Sequence, residues 1–282
     1  MKVSIVITAF NKERTLRKAV ESAVGQTWGD VEVVVVEDKS TDGTRDVLME
    51  IADSYSNVVP VLLEKNVGAG LSRRCGIKVS TGDYVLLLDG DDWLEPDYVE
   101  TLATRAMAEN ADMVTGGVSI HMEDGGIVEA SYGEGTVTGD EMITGYFGKV
   151  TLFLNGRLVR RSLYGCVEYS GRRYIEDVQT CVMLLWWADR NCFVDNCGYH
   201  YMQVSESLTH TADAFKENLF RTLCVTDLVR FFAEHDPRYI AIYDLEGAYK
   251  EGLRRLAECN PTEEMVASYR KEWEELRQFA ES

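Results

Sequence analysis

Positive charge is in short supply in this sequence. Lysine and arginine number 29 against 47 aspartates and glutamates, a formal net charge of -18. A chain this acidic repels nucleic-acid phosphates and anionic lipid headgroups. That excludes a broad nucleic-acid or membrane footprint, although a local basic patch still has room to bind an anion. Long apolar runs are missing as well. The longest, CVMLLWWA at 181–188, is far too short to span a bilayer. The opening MKVSIVITAF meets charge at NKER with no small-residue cleavage site behind it, so a secretory leader is not expected. No C-x-x-C pair occurs among the seven cysteines, an odd number. Cys192 and Cys197, the nearest two, have no His or Cys companions at zinc-ligand spacing. Buried free thiols in a reducing cytosol are the favoured reading. Internal repeats and low-complexity tracts are absent too.

What is present is enough apolar residue, 45% of the chain, to bury one large domain or one domain plus an appendage. Short β-branched runs alternate with helix-length amphipathic segments. VSIVITA (3–9), VEVVVVED (31–38), VVPVLLE (58–64) and YVLLLD (84–89) read as strands. Helices are predicted over 13–25, 44–55 and 70–80, with another opening at Glu95-Pro96. DMVTGGVSI (112–120) reads as a further strand, and the Gly- and acid-rich stretch 121–148 as a loop or a mobile excursion. The pattern predicts an α/β fold: a mostly parallel sheet covered by helices on both faces. The segment 151–201 is mixed, and from about 212 the chain reads as helical. There Asn260, Pro261 and Glu263 form a helix start, followed by an apolar stripe of Met265, Tyr269, Trp273, Leu276 and Ala280. That stripe is expected to pack on the main domain or on a second copy.

The most informative stretch is LLLDGDDWLEPD (86–97), where an apolar strand runs straight into Asp89, Asp91 and Asp92. Adjacent carboxylates repel each other, and in a core they are ruinous. In parallel sheets ligands sit at the carboxyl ends of strands, and hard cations such as Mg²⁺ or Mn²⁺ take carboxylate oxygens and share them with phosphates. A metal site is therefore preferred to a solvated turn, with Asp91 the first candidate ligand and Asp89 the second. The second strand ends in VVEDKSTDGTRD, and its D-x-S-x-D-G only superficially resembles an EF-hand loop. Met49 stands where the loop needs Glu, and a strand precedes it where a helix is required. Capping explains some of Ser40, Thr41 and Asp42; Asp38, at the strand end, is the residue to send to a ligand. In NVGAGLSRRCG the third glycine of a dinucleotide fingerprint is replaced by Arg73, and no Walker lysine pattern exists. Arg73 and Arg74 have two readings, a phosphate contact or an ion pair with nearby acids. Glu176 and Asp177 open a helical run, where the helix dipole alone accounts for acids.

Four motifs then fall in one order: VSIVITAFNKERTL, VVVVEDKSTDGT, NVGAGLSRRCGIKVSTGDYVLLLDGDDWL, and IED followed by GYHYMQVSESLT. Together they resemble the inverting glycosyltransferases of the GT-A fold, family two, over roughly residues 1–210. The resemblance implies a GT-A domain over 1–211, with a nucleotide-sugar half at 1–120 and an acceptor half at 121–211, and a helical region at 212–282. It implies that Ala9, Phe10 and Glu13 border the base, Phe10 by stacking, and that Asp38 accepts a uracil N–H. Asn66, Arg73, Asp89, Gly90 and His210 would lie along the nucleotide-sugar. Asp91 and Asp89 would bind Mn²⁺ or Mg²⁺, Asp92 and Trp93 would face the acceptor, and Asp177 beside Glu176 would be the general base. The chain departs from the family at Ala9, Glu37, Lys39 and Arg74, where Pro, Asp, Gly and Asn are usual. These departures touch donor identity more than the catalytic carboxylates.

The implied partners are a nucleotide-sugar donor, a UDP-sugar in the commonest case, and a glycan, glycolipid or wall-polymer acceptor. The expected location is cytoplasmic, with peripheral contact at the inner face of a membrane and self-association through the C-terminal helices both left open. Two rivals stand. A nucleotidyltransferase of similar fold would want a Gly-rich basic loop after the first strand, which TAFNKERTL lacks. A non-catalytic nucleotide-sugar scaffold would need neither Asp91 nor Asp177.

Overall fold

The computed structural model describes residues 1–142, 154–167, 176–203, 227–236, 239, 245–258 and 262–280. Its strands are β1 (Val3–Ala9), β2 (Val31–Glu37), β3 (Val58–Leu62), β4 (Tyr84–Asp89), β5 (Trp93–Leu94) and β6 (Met113–Thr115), then β7 (Val118–His121), β8 (Ile127–Ala130), β9 (Gly135–Val137), β10 (Arg157–Arg160), β11 (Asn191–Phe193) and β12 (Tyr199–Met202). The main helices are α1 (Leu16–Val24), α2 (Thr44–Ser54), α3 (Ala69–Val79) and α4 (Tyr98–Glu109), a helical turn α5 (Gly139–Glu141), and α6 (Glu176–Trp187).

Eight strands form the main sheet in the order β3-β2-β1-β4-β10-β6-β11-β9. The first four are parallel. β10 runs antiparallel between β4 and β6, and β9 antiparallel at the edge. A smaller sheet has the order β5-β12-β7-β8.

The strands are apolar throughout because both faces are buried, and successive side chains alternate between two cores. Ile5, Ile7, Val33, Val35, Leu86 and Leu88 meet Leu16, Val20, Leu48 and Leu102 on one side. Val6, Val34, Val36, Val85 and Leu87 meet Ile77, Val182 and Leu185 on the other. Gly76 lets α3 lie close to the sheet: a Cβ there would fall 2.3 Å from Val6 Cγ1. The run CVMLLWWA is core, with Cys181 to Leu185 buried in α6. Among the described residues no helix is long and apolar enough to cross a membrane.

The structure amends the expected elements in three places. The stretch 112–120 is two strands in two sheets: it breaks at Gly116–Gly117, where Tyr98 and Cys197 press too close for a side chain. The described part of the stretch 121–148, residues 121–142, holds β8, β9 and α5 besides loop; β8 closes a hairpin on β7, and β9 pairs with the distant β11. The helix expected from Glu95 starts at Tyr98: the Glu95 N–H donates to the Gly198 carbonyl at 2.7 Å, continuing the β5–β12 pairing, and the Pro96 carbonyl accepts the Thr27 N–H at 2.8 Å. Near the C-terminus, Tyr269 and Trp273 of the helix Glu263–Ala280 are buried and meet Tyr249 of the helix Leu245–Glu258. The domain boundary expected at 211, and the helix start at Asn260, lie outside the described residues.

Candidate active site

The strand order turns back between β1 and β4: β2 and β3 extend one way from β1, and β4 lies on its other side. The carboxyl ends of such neighbours open a crevice, because their crossovers leave in opposite directions. Thr8 and Asp89 face each other at this end. The loops leaving β1, β2, β3 and β4 meet around it.

Polar side chains knit these loops together. Asn11 Oδ1 accepts the Thr41 N–H at 2.8 Å, and Ser40 Oγ accepts the Asn11 N–H at 3.1 Å. Glu13, exposed, accepts the Gly43 N–H at 3.2 Å. Asn11 and Lys39 sit at φ of 54° and 57°, a left-handed conformation that is costly without glycine. For Lys39 this is the physical sense of the glycine usual in the resembling motif. Buried Asp38 receives the Val67 N–H at 2.7 Å and the Gly68 N–H at 2.8 Å, while Asn66 Nδ2 donates to the Asp38 carbonyl at 3.1 Å. Asp38 and Asn66 thus shape the loop that leads into α3. Ala9 is buried, and its carbonyl accepts the Asp38 N–H. Phe10 beside it is 40% exposed.

The DGD turn is fastened from below. The Gly90 N–H donates to the Thr8 carbonyl at 3.0 Å, and Thr15 Oγ1 donates to the Gly90 carbonyl at 2.8 Å. Its three carboxylates have separate partners. Asp89 accepts Arg73 Nη2 at 3.0 Å and Asn155 Nδ2 at 2.9 Å. Asp91 pairs with Lys12 Nζ. Asp92 is 1% exposed and accepts the Tyr199 hydroxyl at 2.6 Å and the Met202 N–H at 2.9 Å. Arg73, buried on α3, also pairs through Nη1 with Asp177 in the first turn of α6. One guanidinium therefore holds two carboxylates from opposite sides of the crevice.

These surroundings separate the acids electrically. Burial pushes Asp89 up, but the Arg73 charge, the Asn155 and Arg73 hydrogen bonds and Lys12 outweigh it and hold the carboxyl below its ordinary value. Burial raises Asp177; Arg73 pulls it back only in part and the Asp89 charge adds to the rise, so this carboxyl stays above the ordinary range. Asp92 stands well above it, through burial and then the charges of Asp89 and Asp91. Such divergence among neighbouring carboxylates suits division into charged and proton-accepting roles.

The structure joins Arg73, Asp89 and Asp177 directly, with Gly90 and Asp91 in the same turn as Asp89, and ties Asp38 to Asn66 at the neighbouring strand end, while Phe10 and Glu13 are exposed on the loop after β1. Of the two readings of Arg73, the ion pair with nearby acids is present. Asp92 is turned into the fold toward β12. Trp93 contacts Lys18, whose Nζ is 2.9 Å from the ring centroid, and stacks on His200 at 4.8 Å. His200 in turn bonds to His121 at 2.8 Å and to Glu95 at 2.7 Å, a packing role. The Glu176 side chain and His210 lie outside the described residues. Lys12, Asn155 and Tyr199 were missed in the sequence. Lys12 and Tyr199 both lie inside quoted motifs, VSIVITAFNKERTL and GYHYMQVSESLT, but Asn155 has no local signal at all.

Two aspartates one residue apart, with Asp91 already drawing a cation, form a hard-oxygen donor set that fits a divalent ion. Among the described residues no three His, Cys, Asp or Glu side chains converge; such an ion commonly shares its carboxylate ligands with substrate phosphates and water.

The sequence model of the family described as Glycosyl transferase family 2 matches residues 4–166, more than half of this chain. The chain belongs to glycosyltransferase family 2. Glycosyltransferase GlyA of Streptococcus pneumoniae serotype 4 is 30% identical over 154 residues, 55% of this chain and 21% of that protein. The cholesterol galactosyltransferase of Borreliella burgdorferi is 38% identical over 113 residues, 40% of this chain and 31% of the other. This family 2 chain thus spans under a third of either relative's length. Against GlyG of S. pneumoniae the identity is 25% over 224 residues, 74% of this chain and 73% of that one. Among solved structures, S. aureus TarS 1–349 in complex with UDP-GlcNAc matches with a TM-score of 0.71 at 20% identity, over 92% of this chain and 79% of that chain. That likeness is one of fold, and the fold is the GT-A architecture implied by the four motifs. The matched family span ends before Asp177, which reaches the site only through the packing of α6.

Proposed function

We propose that this family 2 glycosyltransferase moves a sugar from a nucleotide diphosphate sugar, a UDP-sugar, to an acceptor hydroxyl in a single inverting displacement. The acceptor is a glycan, glycolipid or wall polymer. The observation that carries this reading is the Arg73 bridge, which sets Asp177 across from the DGD turn at the switch point. A UDP-sugar donor is supported by the complex of TarS with UDP-GlcNAc.

Phe10, exposed on the loop after β1, stacks on the base. Asp38 has spare lone pairs to accept the base N–H, since each of its oxygens receives one backbone bond. Asp89 keeps Arg73 oriented beside the diphosphate. A Mn²⁺ or Mg²⁺ ion, when bound, is held by Asp91 and supplies Lewis-acid neutralisation of the departing diphosphate. Asp177, raised above an ordinary carboxyl, is suited to take the acceptor proton near neutral pH. The acceptor oxygen bonds to the anomeric carbon, the bond to the phosphate oxygen breaks, the proton ends on Asp177 and the nucleoside diphosphate leaves. Attack from the face opposite the leaving group inverts the centre.

A panel of nucleotide-sugars, read by UDP or GDP release, tests this directly. Asp177→Asn should lose about 10²- to 10⁴-fold in turnover while its affinity for the donor nucleotide stays within about twofold. Turnover undiminished in Asp177→Asn removes that residue as base. Nucleotide binding with no turnover of any donor favours the scaffold.

A further inference from the structure

Lys12 has no part in the displacement just described, yet it occupies a decisive place. Its backbone N–H is held by Thr44 Oγ1 at 2.7 Å, and its stem passes beneath Gly90, with Cγ 3.3 Å from where a Cβ on that glycine would lie. The ammonium so delivered is paired with Asp91. Asp89 is engaged by Arg73 and Asn155, and Asp92 by Tyr199 and Met202. Asp91 is thus the carboxylate of the turn whose bond is to a flexible, partly exposed partner: the side chains of Lys12 and Asp91 are 30% and 20% exposed. Any cation that takes up Asp91 meets a tethered competitor already in place.

We propose that Lys12 is a built-in counter-ion of Asp91 that competes with the divalent cation and sets a low cation affinity in the nucleotide-free protein. The proposal rests on the reading that Asp91 holds the cation. The physical reason is direct. A divalent ion must displace an ammonium from the carboxylate and then tolerate its charge a few ångströms away, and both effects subtract from its binding.

The test is Mn²⁺ binding to the nucleotide-free protein, followed by the electron paramagnetic resonance signal of unbound Mn²⁺. Lys12→Met should bind Mn²⁺ about five- to tenfold more tightly than the wild type. Lys12→Arg, which keeps the charge, should stay within about twofold. Asp91→Asn should abolish binding in either background. Lys12→Gln serves as a second neutral variant, and thermal unfolding shows which proteins are folded. Neutral variants that bind no more tightly than the wild type, with binding still lost in Asp91→Asn, overturn the counter-ion and leave the Asp91 reading standing. Binding that survives Asp91→Asn overturns that reading, and the counter-ion falls with it.

Discussion

Glu32 offers a way to perturb the scaffold without touching the site. It lies near the amino end of β2, at the opposite end of the parallel strands from the DGD turn. Its carboxylate accepts Ser4 Oγ at 2.5 Å, the Thr81 N–H at 2.5 Å, Thr81 Oγ1 at 2.6 Å and the Gly82 N–H at 3.2 Å, and pairs with Lys2 at 2.7 Å. Burial alone would raise it, but the bonds from Lys2, Ser4 and Thr81 outweigh burial and hold the carboxyl at about 2 against its ordinary 4.5. A pKa lowered by folding stabilises the native state above the unfolded value and loses that contribution as pH falls through the folded one. The displacement corresponds to about 3 kcal/mol. Lys2 is 36% exposed and its share is screened, which leaves about 2 kcal/mol. Glu32→Gln should therefore be less stable than the wild type by about 2 kcal/mol at pH 7, with less than half of that gap remaining at pH 3. Urea unfolding at the two pH values measures it, and nucleotide affinity at pH 7 should not change. A gap equal at both pH values, or below about 0.5 kcal/mol at pH 7, would refute the reasoning.

Two further outcomes follow from the same geometry. Arg73 pulls the Asp177 carboxyl down, so Arg73→Gln should move the acid limb of kcat/KM to higher pH: a base must be ionised to act, and removing the guanidinium makes ionisation harder; a limb that stays put denies the coupling. Gly76→Ala puts a methyl 2.3 Å from buried Val6 Cγ1, so it should cost about 1–3 kcal/mol in urea unfolding, and an unchanged midpoint would show that α3 slides to accommodate it.

Periodicity alone was enough for β1 to β4 and the helices between them. A strand buried on both faces must be apolar, and a helix lying on it must carry an apolar stripe. The same local logic marked the DGD turn, because three acids after an apolar strand require an explanation. It failed where pairing is non-local. β9 is three residues long and exists because β11 lies beside it, and the helix expected from Glu95 begins only at Tyr98 because the Glu95 N–H is taken by Gly198, just before β12. Nor do these residues, as a string, tell a carboxylate that caps a helix from one that accepts a proton. Asp177 at the start of α6 is explained by the dipole until Arg73, 104 residues earlier, is found against it. Asn155 reaches Asp89 across 66 residues, and Lys12 reaches Asp91 across 79. Burial is encoded in each residue's own polarity, so sequence determined the layers and the end of the sheet where the acids collect. Which ion meets which carboxylate depends on distances of a few ångströms between remote segments, and only the tertiary structure decided that.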